Sequence, residues 1–258
     1  MSETSSIETS SVDTLTAVTC AHDATPTGRM LLTDGLIRSL CSSGFALTLL
    51  ATSFEVVFVL FCFSPVSAGG LAFPAAHIGY GLAIAGGAAA FLQIAVMPYL
   101  LRTFDLGRLF KITMSAWPAS FALLPFLHCL AERASTPTLD GQGSVELSTG
   151  TMALLWTGIA LSLALSRVGC MGYSAHMLLT KDAAPSQEAL GRTNGVVQVS
   201  HTSARALAPT VVSALFALSS AQVGVFRYGW AAAMVCISMF AFRTADEIQR
   251  VRRSRGLC

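Results

Sequence analysis

Three charged side chains, Glu55, Arg167 and Arg205, stand inside long apolar runs. An ionised group at the centre of a bilayer costs about 2.5–3.5 kcal/mol on insertion scales, so such groups face a bundle interior or water. A carboxylate in that position can carry a proton or hold a cation. An arginine there can hold an anion or a partner carboxylate. The same residues also admit a structural reading, an ion pair that clamps helices together, or an arginine whose long stem lets its head reach an interface. Two arginines against one carboxylate leave one positive charge over.

Uncharged polar residues lie close by in sequence. Gln93, Asn194, Gln198 and His201 fall within or at the ends of apolar runs. Asn194, Gln198 and His201 (or Arg205) follow helical spacing and share one face. That face suits either a polar patch in a pathway or a hydrogen-bonded contact between helices. His176 is a pH-sensing candidate near the end of another run. Trp117 followed by Pro118 reads as packing and a kink.

These residues need helices to place them, and the composition says in what solvent. Hydrophobic residues make up 53% of the 258-residue chain and charged residues 12%, about half the charged share of a soluble domain. A chain of this size cannot build a core large enough to hide so much apolar sequence. Lipid is the simpler solvent, and crossing it takes roughly 20 apolar residues. Six stretches qualify as spans: 44–65, 77–101, 109–130, 152–179, 193–219 and 223–242. Polar, Pro- and Gly-bearing connectors separate them, including 65–74, 102–111, 132–149 and 181–191. Residues 1–30, rich in Ser and Thr, read as a disordered cytoplasmic tail. Residues 31–242 form the transmembrane domain, entered by a short amphipathic stretch, 31–40. Residues 243–258 read as a basic cytoplasmic tail. Its Arg250, Arg252, Arg253 and Arg255 are expected against anionic lipid, at about 1 kcal/mol per charge.

Basic residues orient the bundle, because Lys and Arg concentrate on the cytoplasmic side. With both termini inside, only Arg133 and Arg227 of the 16 basic residues lie outside, and Arg167 and Arg205 lie in spans. The net charge of +2 gives no reason to expect nucleic acid. Seven scattered cysteines show no metal or disulfide spacing. No nucleotide loop, catalytic triad or metal box occurs, so neither an enzyme activity nor a cofactor is expected.

Four strings then carry a family resemblance. The first runs from Phe54-Glu55-Val56-Val57-Phe58 to Ser64-Pro65, with Gly69-Gly70-Leu71 and His77-Ile78-Gly79 after it. The second joins Pro98, Arg102, Gly107 and Arg108 to Trp117-Pro118. The third is Ala184-Pro185-Ser186 with Leu190-Gly191, Asn194-Gly195 and Gln198. The fourth is Arg205-Ala206-Leu207-Ala208-Pro209 followed by Ser213-Ala214-Leu215-Phe216-Ala217. Together they resemble the C-terminal half of fungal major facilitator superfamily transporters of the drug–proton antiporter type.

The resemblance implies an all-α membrane protein whose six transmembrane helices form one half of such a transporter, a 3+3 inverted repeat. Spans one and four then line the central cavity, which makes Glu55, Arg167 and Arg205, with Gln93, Asn194, Gln198 and His201, the substrate or coupling candidates. Arg102, Gly107 and Arg108 resemble a degenerate copy of the family's basic loop, which makes them candidates for a cytoplasmic gate; plain positive-inside charge explains them equally. The implied function is secondary transport of a small solute, coupled to protons, in a plasma or organelle membrane. The implied partners are lipid, the solute, and a complementary six-helix half or a second copy. The alternative is a half that does not transport and instead binds a partner protein in the membrane.

Overall fold

The structure, a computed structural model, describes residues 34–134, 149–184, 186–222 and 224–254. The expected N-terminal tail, most of the polar loop after Glu132 and the end of the basic tail lie outside those residues. The described elements are helical throughout. In chain order they are α1 (Gly35–Phe63), α2 (Ala75–Phe91), α3 (Met97–Thr103), α4 (Leu106–Ala134), α5 (Thr149–Cys170), α6 (Gly172–Ala183), α7 (Leu190–Ser220) and α8 (Gly229–Ser254).

Local chemistry explains where these helices start, break and stop. The Asp34 carboxylate caps α1 by accepting from the Leu36 N–H at 2.9 Å, which satisfies one of the first-turn donors. The described part of the expected amphipathic approach, Gly35 to Leu40, is therefore the start of α1 and not a separate piece. α1 ends at Ser64, ahead of Pro65, which is a usual place for a helix to stop. α2 and α3 form one rod joined by a π-turn at Leu92–Val96. Pro98 supplies the cause: it has no N–H, and its ring crowds the carbonyl of Ile94 four residues earlier, so the helix widens there. α5 and α6 likewise form one rod with a break at Met171.

That break sits where two glycines let helices approach. A Cβ on Gly169 would fall 2.6 Å from Cε2 of Trp117 on α4, and one on Gly172 would fall 3.0 Å from Oγ1 of Thr113. Trp117, fully buried, thus rests its indole on the bare backbone of α5. Phe54 of α1 meets it edge-on at 6.1 Å between ring centroids, and Phe121 is 5.5 Å from Phe54. Edge-to-face rings at these distances attract beyond the area they bury, so the cluster pins α1, α4 and α5 together.

α1 packs against α7 and α8, and α4 packs against α5 and α8. α1 and α4 are consequently the most enclosed helices. α2 leans mainly on α5 and keeps Tyr80, Ile84, Phe91 and, past the π-turn, Tyr99 exposed. α7 exposes Val199, Leu207, Val211 and Leu218. A surface of large apolar side chains is what a lipid-facing or partner-facing bundle needs.

Among the described residues, five rods are long and apolar enough to cross a membrane: Gly35–Phe63, Ala75–Thr103, Leu106–Arg133, Gly150–Ala183 and Leu190–Ser220. These cover the first five expected spans. The sixth differs. Residues 224–228 form a 3-10 turn opened by Gly224 at φ 70°, so α8 begins at Gly229 and not at Val223. Its apolar run ends at Phe242, yet the helix continues to Ser254. The last three turns stay helical because they pack: Thr244, Ala245, Ile248, Gln249 and Arg252 are buried. The first part of the expected tail is therefore helix docked on the bundle. Arg252 in particular is turned inward, 3.3 Å from Asp182 at the end of α6, and is not laid against lipid as the sequence led us to expect.

Candidate functional site

α1 and α5 bring two of the intramembrane charges together. Nη2 of Arg167 lies 3.7 Å from Oε1 of Glu55, a charge contact longer than a hydrogen bond. The Arg167 side chain is 13% exposed and that of Glu55 59%, so the carboxylate is the open member. Ser166 supports the arginine by accepting from its Nε at 3.3 Å. Arg167 also closes one end of an apolar cavity of about 220 Å³ between α2 and α5. Gly81, Ala85, Ala88, Ala160 and Ala164 make the space, and Trp156, Leu163 and Leu92 wall it. The Trp156 ring is fixed by stacking on Phe73 at 5.3 Å. An apolar slot lined at one end by Arg167, whose guanidinium pairs with the open Glu55 carboxylate, can take a small, largely apolar solute beside an ion pair.

Arg205 does not join this pair. It is exposed on α7, where it lies beside the Tyr173 hydroxyl of α6. Gln93 sits on the π-turn, exposed, and its amide donates to the Ser174 hydroxyl of α6, so the widened turn links the α2–α3 rod to the rod of α5 and α6. Asn194 and Gln198 are exposed on α7. His201 is separated from that exposed row by burial: it is 8% exposed and packs on α1.

His201 belongs to a polar chain that crosses three helices. Its Nδ1 is 2.5 Å from the Thr48 hydroxyl of α1, and its Nε2 is 3.4 Å from Nδ1 of His176 on α6. His176 is 1% exposed. Its Nε2 donates to the Leu40 carbonyl at 2.9 Å and lies 3.3 Å from the Ser43 hydroxyl. Gly44 makes room for both rings; a Cβ there would fall 2.8 Å from Cε1 of His176 and 2.9 Å from Nε2 of His201. Sequence reasoning singled out each histidine but not the pairing, since 25 residues and a helix reversal separate them. The glycine in α1 opposite them was the available signal, and its meaning depends on packing.

The two ends of the bundle are tied by polar clusters. At the basic end, Asp246 of α8 holds Lys111 of α4 at 2.5 Å and Arg250 at 2.6 Å. The Lys111 hydrogen bond, with Arg250 nearby, holds the Asp246 carboxyl below its ordinary value. Of the gate candidates, Arg102 and Arg108 are exposed, and the Arg108 N–H is capped by Asp105 at 3.2 Å. Gly107 is buried where a Cβ would meet Asp105 at 3.2 Å and Gln249 of α8 at 3.5 Å. This glycine serves the docking of α8. At the opposite end, His128 of α4 donates from Nε2 to the Val66 carbonyl at 3.0 Å and accepts at Nδ1 from the Tyr228 hydroxyl at 2.8 Å. Desolvation, with Cys129 beside it, holds that hydroxyl above its ordinary value and so keeps it a donor.

Comparison with known proteins agrees with this architecture. No family model and no solved structure matches the chain. The major facilitator-type transporter psiT2 of Psilocybe cyanescens is 37% identical over 227 residues, 88% of this chain and 42% of that protein. The psiT2 transporter of Psilocybe cubensis is 36% identical over 234 residues, 90% of this chain and 44% of that protein. The major facilitator superfamily multidrug transporter mfsB of Aspergillus fumigatus is 27% identical over 170 residues, 66% of this chain and 25% of that protein. The chain thus spans less than half the length of the curated relatives it matches, and all three are named as transporters. A helical, multi-pass membrane protein that aligns along most of its own length with such proteins is a homologue of fungal major facilitator-type transporters.

Proposed function

We propose that the chain acts as one half of a secondary transporter for a small solute, with both termini cytoplasmic and Glu55 as the group that couples transport to protons. The observation that carries this reading is the Glu55–Arg167 contact of 3.7 Å at the end of the apolar slot, with the carboxylate open and the guanidinium largely enclosed. With Glu55 ionised, Arg167 is neutralised and the slot ends in a closed ion pair. With Glu55 protonated, the guanidinium is released to meet an anionic or strongly polar group on the solute. Protonation of Glu55 and binding of the solute at Arg167 then favour each other, which is what couples the two. The exposed apolar faces of α2 and α7 are the surfaces that a complementary half, or a second copy, would cover, since alternating access needs two bodies that rock about a site between them.

The test is reconstitution of the chain with a complementary six-helix half in proteoliposomes under an imposed pH gradient. Uptake should respond to the gradient, and Glu55→Gln should remove that response while uptake down the solute gradient persists. A Glu55→Gln protein with unchanged pH response would reduce the pair to a structural clamp. Saturable uptake by a demonstrated monomer of the chain alone would overturn the half-transporter reading.

A further inference from the structure

We propose that the groove between the end of α6 and the start of α7 binds one anionic phospholipid, with Lys181 holding its negative headgroup. The groove has a volume of about 480 Å³ and lies at the basic end of the bundle. Met177, Leu178, Lys181, Gln187, Leu190 and Asn194 line it, with Gly191 at its edge. Arg167 and the apolar slot lie roughly four turns, about 20 Å, away along the rod of α5 and α6. The groove is therefore a second site and not an extension of the first.

Its lining is graded along the bundle axis. Lys181 stands exposed in the last turn of α6, and Gln187 follows in the connector. One turn deeper, about 6 Å, Met177 is 58% exposed and Leu178 36% exposed, and Leu190 completes this apolar floor from α7. α7 runs back beside α6 from Leu190, so Asn194 comes level with Met177 and brings an amide to the same depth. A phospholipid carries its groups in this order: charge at the surface, esters next, alkyl chains toward the bilayer centre. A free anion would leave Met177 and Leu178 bare, and a purely apolar molecule would leave Lys181 unused. With the basic end cytoplasmic, as proposed above, the groove opens to the leaflet that carries anionic lipid.

The docked tail of α8 is what leaves Lys181 available. Asp182, its neighbour in sequence, is taken by Arg252 at 3.3 Å. Glu188 of the connector is exposed, and among the described residues no carboxylate pairs with Lys181. The chain's other lysine, Lys111, is by contrast held by Asp246 and lies over the Phe242 ring. Arg252 thus serves the lipid without touching it, by holding the carboxylate that would otherwise compete for Lys181. Gly191 keeps the groove open, since a Cβ there meets nothing within 4 Å.

The test is native mass spectrometry of the purified full chain, titrated with phosphatidylserine, with phosphatidylcholine of the same acyl chains, or with inorganic phosphate. We expect one phosphatidylserine retained ahead of any phosphatidylcholine, and no competition from phosphate. Lys181→Gln should weaken phosphatidylserine about fivefold, the effect of one basic charge beside an anionic lipid. It should leave phosphatidylcholine and the thermal unfolding midpoint unchanged, because the side chain is exposed. Arg108→Gln, which removes an exposed charge at the same end but outside the groove, should change nothing. Gly191→Leu, which fills the groove and keeps every charge, should also weaken phosphatidylserine. Arg252→Gln should weaken it, and adding Asp182→Asn should restore it; that rescue separates competition by Asp182 from a disturbed fold. Equal retention of the two lipids, displacement by phosphate, no effect of Lys181→Gln, or an equal loss from Arg108→Gln would overturn the site. A lipid expelled when the chain dimerises, or when a complementary six-helix half is added, would assign the groove to protein and overturn it as well.

Discussion

Substituting Gly44 by alanine adds a single methyl group at the most crowded point of α1. In an open helix the change is favourable by about 1 kcal/mol, because alanine loses less backbone freedom. Here the new Cβ falls 2.8 Å from Cε1 of His176, 2.9 Å from Nε2 of His201 and 3.1 Å from Nε2 of His176. The rings have little room to retreat: His176 is anchored on the Leu40 carbonyl and faced by Phe110, and His201 is anchored on Thr48. Overpacking of this kind costs roughly 1–3 kcal/mol. Breaking a hydrogen bond to separate the rings adds about 1 kcal/mol. Less the helical gain, we expect a net loss of about 1–3 kcal/mol, which is several degrees in the midpoint of thermal unfolding for a chain of this size. The measurement is thermal unfolding of the purified protein in detergent. Gly86→Ala on α2 is the reference, since nothing lies within 4 Å of a Cβ there, and it should be neutral or mildly stabilising. A Gly44→Ala protein as stable as Gly86→Ala would refute the view that this glycine exists to admit two imidazoles.

Two other predictions follow from the ends of the bundle. The Asp246 carboxyl is held below its ordinary value of 3.8 by Lys111 and Arg250, so its contribution to stability is present above that value and lost as pH falls below it. The stability difference between the wild type and Asp246→Asn should be constant near neutrality and shrink in strong acid; a difference independent of pH would contradict the assignment. In a cysteine-depleted background, Gln222→Cys in the connector before α8 should react with an impermeant thiol reagent on intact cells, and Ser254→Cys should react only after permeabilisation. The reverse pattern would invert the proposed orientation.

Hydropathy alone determined that this chain partitions into lipid, and the distribution of arginine and lysine alone proposed which way it faces. Both are sums over many residues and survive errors at single positions. The first five spans were legible for the same reason, and so was the list of charges that lipid will not tolerate. Helix ends were less legible where neighbours decide them. Residues 243–258 read as a basic cytoplasmic tail against anionic lipid because their local character is polar and basic. Arg243 to Ser254 are helical because Ile248, Gln249 and Arg252 find a bed on the bundle, and Asp182 and Asp246 receive their charges. The pairing of residues was the least legible. Periodicity placed His201 in a row with Asn194, Gln198 and Arg205, but it could not say that His201 alone would be covered by α1. Glu55 meets Arg167 where α1 approaches α5, and His201 meets His176 where Gly44 leaves room for both rings. A one-dimensional pattern records which face a residue occupies; the depth at which two helices interlock depends on side-chain volumes from distant segments, and only the tertiary structure sums those.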